Sequence, residues 1–97
     1  MNGNQRAQLK KIAHNMDPML IIGKNGLSDN LIKQIDDLLE KRELVKIKVL
    51  NNNFDDKDEM LDEILQRTDS LYVSHVGFTY VIYRENEDPD KRVINLN

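Results

Sequence analysis

The chain of 97 residues has no cysteine, which excludes disulfides and thiol-ligated zinc. It has no tryptophan, and only five of its residues are aromatic, three tyrosines and two phenylalanines. No apolar run approaches the roughly 18 residues that suggest a membrane span. The N-terminus is polar and shows no secretory signal, so a cytoplasmic protein is expected. The two histidines, His14 and His75, stand far apart. His14 reads as a residue suited to a helix end, and His75 as a strand side chain. There is no Walker-type phosphate loop, because Gly23-Lys24-Asn25-Gly26 lacks the lysine–serine/threonine pair after its second glycine. No catalytic set, cofactor site or metal site is expected.

Hydrophobic residues make up 39% of the chain and charged residues 32%, which suits one modest core and a well-solvated surface. A single domain over residues 1–97 is expected, with 85–97 as a loose tail. The net charge of −3 is unevenly placed. Residues 1–50 hold nine Lys/Arg and six Asp/Glu, a net of +3; residues 51–97 hold five and eleven, a net of −6. That asymmetry suggests a basic working region with an acidic remainder.

In chain order, residues 1–3 read as frayed and Asn4 as the cap of a helix running to about Asn15. Leu9, Ile12, Ala13 and Met16 form its apolar stripe. Asp17-Pro18 closes it. Met19 to Ile22 are apolar at every position, as in a strand covered, at least in part, on both faces. Next comes the turn Gly23-Lys24-Asn25-Gly26, with Ser28 as N-cap of a second helix to about Lys41. Glycines at both ends allow positive φ and close backbone approach. A turn of this kind aims backbone N–H groups and the positive end of a helix dipole at an anion such as phosphate. Leu44 to Leu50 alternate, placing Val45, Ile47 and Val49 on one face and Lys46 and Lys48 on the other. Asp55 or Asp56 caps a third helix ending near Arg67, apolar at Met60, Leu61, Ile64 and Leu65. Its outer side carries Asp58, Glu59, Asp62 and Glu63. Leu71–Val76 and Tyr80–Arg84 pair as a hairpin across Gly77-Phe78-Thr79. Arg92 to Leu96 suggest a short edge strand. Tyr72, Tyr80 and Tyr83 read either as base-stacking groups or as half-buried strand residues.

The element order αβαβαββ predicts a two-layer α/β (α+β) sandwich with a mixed four-stranded sheet. Several stretches also resemble one family. They are Leu9-Lys10-Lys11-Ile12-Ala13-His14, Asp17 to Ser28, Ile32-Lys33-Gln34-Ile35-Asp36, Arg42 to Val49, Val76-Gly77 and Val81 to Arg84. In this order and spacing they are similar to the small bacterial YhbY proteins, single-domain members of the CRM (chloroplast RNA splicing and ribosome maturation) family. The resemblance covers roughly residues 5–84. It implies a fold similar to the C-terminal domain of bacterial translation initiation factor 3, with strand order 1-2-4-3 and the last strand antiparallel to the others.

The resemblance also implies RNA binding and association with precursors of the large ribosomal subunit. Gly23, Lys24, Asn25 and Gly26 correspond to the family's G-x-x-G loop, which would hold RNA phosphates. Lys10, Lys11, Lys33, Lys46 and Lys48 are candidates for a surrounding basic surface, or else ordinary solvated lysines. Phe78 departs from the family, which commonly carries Lys or Arg there. The rival expectation is a protein-binding module that docks on a ribosomal protein through its acidic third helix. No exposed apolar helix face points to an obligate dimer, so a monomer is expected.

Overall fold

A computed structural model describes residues 1–96. Its elements are α1 (Gly3–His14), β1 (Leu20–Ile22), α2 (Asp29–Arg42), β2 (Leu44–Val49), α3 (Lys57–Thr68), β3 (Leu71–Val76) and β4 (Thr79–Tyr83). A single 3-10 turn follows at Pro89–Lys91. The strands form one sheet in the order β1-β2-β4-β3. β1 and β2 are parallel, and β4 runs antiparallel to both β2 and β3. The mixed sheet and its strand order are those expected.

α2 and α3 cover one face of the sheet. Ile32, Ile35 and Leu39 of α2 and Met60 and Ile64 of α3 pack on Ile22, Val45, Ile47, Val49 and Ile82. Each such side chain, fully buried, stabilises the fold by about 1.5–3 kcal/mol. Ser28 caps α2, its hydroxyl accepting from the Leu31 N–H at 3.1 Å. Asp56, the second of the two aspartates considered, caps α3 by accepting from the Asp58 and Glu59 N–H groups. Arg84 joins the two helices from β4's end, donating to Asp36 Oδ1 at 2.6 Å and to the Thr68 carbonyl at 2.7 Å.

α1 lies against the opposite face. Leu9 and Ala13 pack on Leu44, Val73, Val81 and Tyr83. The two-layer core of sheet with α2 and α3 therefore carries a partial third layer. β3 bulges there, so that both Val73 and Ser74 oppose Val81. The cap of α1 is Asn2, not Asn4: the Asn2 side chain accepts from the Gln5 N–H while Gln5 bonds back to the Asn2 N–H. This reciprocal box puts Gly3 inside the helix rather than in a frayed end. α1 ends at His14, three residues before Asp17.

Two further expectations are corrected. Ile21 is 58% exposed, so β1 is covered on one face only: α1 stops short of this end of the sheet. Residues 92–96 form no strand. The Val93 and Ile94 N–H groups go to a side chain instead. The Glu43 carboxylate accepts from the Asn86, Val93 and Ile94 N–H groups at 2.6, 2.7 and 3.0 Å. That carboxylate is fully buried, at the end of α2, on a residue with φ of 64°.

Beside it, the hydroxyl of the buried Tyr83 has no hydrogen-bond partner among the described residues. Burial first, then Glu43 and Glu85 with Arg92 opposing, lifts its pKa from 10.0 to about 12. An unfolded chain releases this proton near pH 10, whereas the folded chain keeps it to about 12. The folded state thus holds more protons between those values, and stability falls as pH rises through them. Tyr83→Phe is expected to gain about 1 kcal/mol at neutral pH, because it removes an unpaired buried hydroxyl. It should also flatten the alkaline fall, as read by urea unfolding at pH 8 and at higher pH. Loss of stability at neutral pH would mean that the hydroxyl is satisfied.

Candidate nucleic-acid interface

β1 delivers the chain to one end of the sheet, where Gly23 to Gly26 turn it into α2. The Gly26 N–H donates to the Gly23 carbonyl at 3.1 Å, closing a four-residue turn. Gly26 has a φ of +68°, and a Cβ there would collide with the Asp55 carboxylate. Gly23 differs from the expectation: its φ is not in the left-handed region and a Cβ would meet nothing within 4 Å. Lys24 and Asn25 are exposed at the tip. Their backbone N–H groups have no acceptor among the described residues.

A second loop braces this turn. Asn53, only 4% exposed, donates from Nδ2 to the Gly23 carbonyl at 2.8 Å and to Asp55 Oδ2 at 3.2 Å. Asn53 Oδ1 in turn accepts from the Asp55 N–H at 3.0 Å. Lys57 Nζ donates to the Asn53 and Asp55 carbonyls, at 2.9 and 2.7 Å, and to Asn53 Oδ1 at 3.0 Å. The same ammonium lies 5.5 Å from the centre of the Phe78 ring, in a cation–π contact. Asn53 and Lys57 therefore set the shape of the turn, although neither is marked by its sequence position. An asparagine run after a strand reads as a polar loop, and no spacing rule shows that its last residue is buried.

The candidate lysines are placed unequally. Lys24 stands at the tip. Lys48 is exposed on the α1 side of the sheet, beside Ile21 in the β1–β2 register. Lys46 lies one position deeper, and its Nζ donates to the Ala13 and Met16 carbonyls at 3.0 and 2.8 Å. It fastens the C-terminal end of α1 to the sheet and offsets the negative end of that helix. Lys10 joins Lys46 and Lys48 in lining a groove of about 570 Å³ between α1 and the sheet. Lys11 is exposed on α1 but does not line this groove. Lys33 pairs with Asp37 of its own helix at 3.3 Å, on the solvent side of α2. The structure thus gathers Lys10, Lys46 and Lys48 and leaves Lys11 and Lys33 outside the cluster.

The other flank of the turn is acidic. Asp55, Asp56, Glu59 and Glu63 line a groove of about 390 Å³ together with Asn25 and Leu27. Arg67 there is held by Asp29 at 2.8 Å and Glu63 at 3.3 Å. Phe54, 93% exposed, also sits beside Asp55 and Asp56. The tyrosines form no stacking surface: Tyr80 and Tyr83 are buried, and half-buried Tyr72 is engaged through its hydroxyl with His75 Nδ1 at 2.7 Å. Among the described residues no group of three His, Cys, Asp or Glu could hold a metal ion.

Fold and turn together define a small α+β domain with a braced glycine turn at a helix start, between a cationic and an acidic flank. The chain belongs to the CRS1/YhbY (CRM) domain family, whose model matches residues 1–84. It is 38% identical over 88 residues to a probable RNA-binding protein of Bacillus subtilis (strain 168), covering 91% of this chain and 92% of that one. It is 32% identical over 93 residues to a probable RNA-binding protein of Pseudomonas aeruginosa, covering 96% and 89%. The solution structure of a hypothetical protein from Staphylococcus aureus is similar over 100% of this chain and 99% of that one, with a TM-score of 0.79 and 46% identity.

Proposed function

We propose that this protein binds RNA, and that Gly23, Lys24, Asn25 and Gly26 hold its phosphates. The observation that carries this reading is the braced turn: exposed Lys24 and Asn25 present unpaired N–H groups in the turn that leads into α2, and Lys24 adds a positive charge at its tip. Backbone donors held in a braced turn, close to the positive end of a helix, suit an anion without reading sequence. Lys48 and Lys10 extend the positive surface on one side only. The names of the relatives and the family membership support RNA as the partner. The resemblance of the sequence to the bacterial single-domain proteins supports large-subunit ribosomal RNA, or its precursor particle, as the target.

The test is binding of the purified protein to large-subunit ribosomal RNA across a salt series, with Lys24→Ala alongside. Wild-type affinity should fall steeply as salt rises. The variant should give a log–log slope shallower by about one unit, the loss of one phosphate contact. Coincident lines would remove Lys24 from the site. The acidic flank motivates the rival reading, docking on a basic ribosomal protein. That reading requires Glu59→Gln and Asp62→Asn to weaken association with ribosomal particles while Lys24→Ala leaves it intact.

A further inference from the structure

The strand register brings four residues into one row across the open end of the α1 face. Ile21 pairs with Lys48, Lys48 with Thr79, and Thr79 with Val76. α1 covers the next row down, through Ala13 against Val81, and stops there. Ile21 is consequently 58% exposed and Val76 is 85% exposed, both on strands that could have carried polar residues at no cost to the core. At the usual strand spacing of ~4.8 Å the row is about 14 Å wide, enough for more than one nucleobase. Ile21 is two residues from Gly23, so the row begins directly beneath the turn.

We propose that this row is a platform for unpaired bases of an RNA strand whose phosphates lie on the Gly23–Gly26 turn. The inference rests on the RNA reading of that turn and adds where the strand goes and what it offers. Charge selects this side. In the groove continuous with the row, Lys10, Lys46 and Lys48 meet a single carboxylate, Asp17, whereas four carboxylates line the opposite flank. A polyanion leaving the turn is steered away from α3 and over Lys48. Apolar side chains then favour unpaired bases, because a duplex buries its base faces in its own stack. Lys48 and the Thr79 hydroxyl lie between the two apolar ends, where a phosphate or a base edge can meet them.

The experiment measures binding of a labelled oligoadenylate strand, and of its duplex with oligouridylate, across a salt series. Ile21→Ser, Val76→Ser and the double variant are compared with wild type. Counterion release depends on phosphate contacts alone, so loss of base contact moves the line without tilting it. The double variant should bind the single strand about tenfold more weakly at every salt concentration, with an unchanged slope and unchanged duplex binding. Val76→Tyr should bind the single strand more tightly, a gain that misfolding cannot produce. Single-strand lines that coincide with a steep wild-type line would overturn the platform and leave the phosphate site standing. The same coincidence, with lost association to protein-containing ribosomal particles, would make the row a protein dock and also overturn it. A wild-type line with no salt dependence removes the phosphate site and the platform together.

Discussion

Glu43→Ala is expected to destabilise the protein by about 3 kcal/mol, the largest effect of any single substitution considered. Its carboxylate is fully buried and is satisfied by three backbone N–H groups, of Asn86, Val93 and Ile94. Hydrogen bonds to an ionised group contribute about 1.5–3 kcal/mol each, against a desolvation penalty of several kcal/mol for the charge. Alanine leaves three donors without an acceptor and frees the segment after β4. Glu43→Gln should cost about 2 kcal/mol, because one of its two acceptor oxygens becomes a donor facing another donor. Backbone strain gives an independent check. Glu43 has φ of 64° and ψ of −42°, which glycine adopts more easily than alanine. Glu43→Gly should therefore be less damaging than Glu43→Ala, by about 1 kcal/mol, the reverse of the order inside a helix. Urea unfolding gives the free energies, and hydrogen exchange at Asn86, Val93 and Ile94 reports the tether. Wild-type stability in Glu43→Gln, with those amides still protected, would show that something else holds the segment.

Gly26→Ala should lower stability by about 2 kcal/mol and RNA affinity with it, while Gly23→Ala leaves the fold unchanged. The two glycines bound the same turn, yet only Gly26 has positive φ, and only there would a Cβ run into Asp55. An L-residue forced into that conformation costs about 1–2 kcal/mol, and the displaced Asp55 carboxylate would break its contact with Asn53 Nδ2. Since Asn53 also holds the Gly23 carbonyl, the disturbance reaches both ends of the turn. Adding Asp55→Ala should restore the steric part and leave the conformational part. Stability is read by thermal unfolding and affinity by the same salt series. Equal effects at the two glycines would mean that the turn is not braced as described.

Much of this architecture follows from local rules. Ser28 is an N-cap because its hydroxyl precedes an apolar-periodic stretch with Asp29 in the first turn, and it caps α2 in the structure. Val45, Ile47 and Val49 point inward because a strand alternates sides, and all three are buried. Those rules concern residues within one or two turns of each other. At α1 they select the wrong residue: Asn4 reads as the cap, whereas Asn2 takes that place through its reciprocal bonds with Gln5.

The remaining features depend on partners far away in the chain. Lys46 looks like a free strand lysine until α1 arrives 30 residues away to present its carbonyls. Glu43 belongs to a motif that the sequence displays, but its work is done on amides 43 to 51 residues later. Asn53 and Lys57 are ordinary loop and helix-start residues until the Gly23 turn is brought beside them. Ile21 reads as a strand residue apolar on both sides, and only the short reach of α1 leaves it in water. Periodicity, caps and turn chemistry, being local, determined the three helices, the four strands and the glycine turn from the sequence alone, while the strand order followed from the family resemblance. Which side of that turn is cationic, what holds it rigid and which side chains remain exposed were decided by tertiary packing, because charge and burial are properties of neighbours that the chain brings together only when folded.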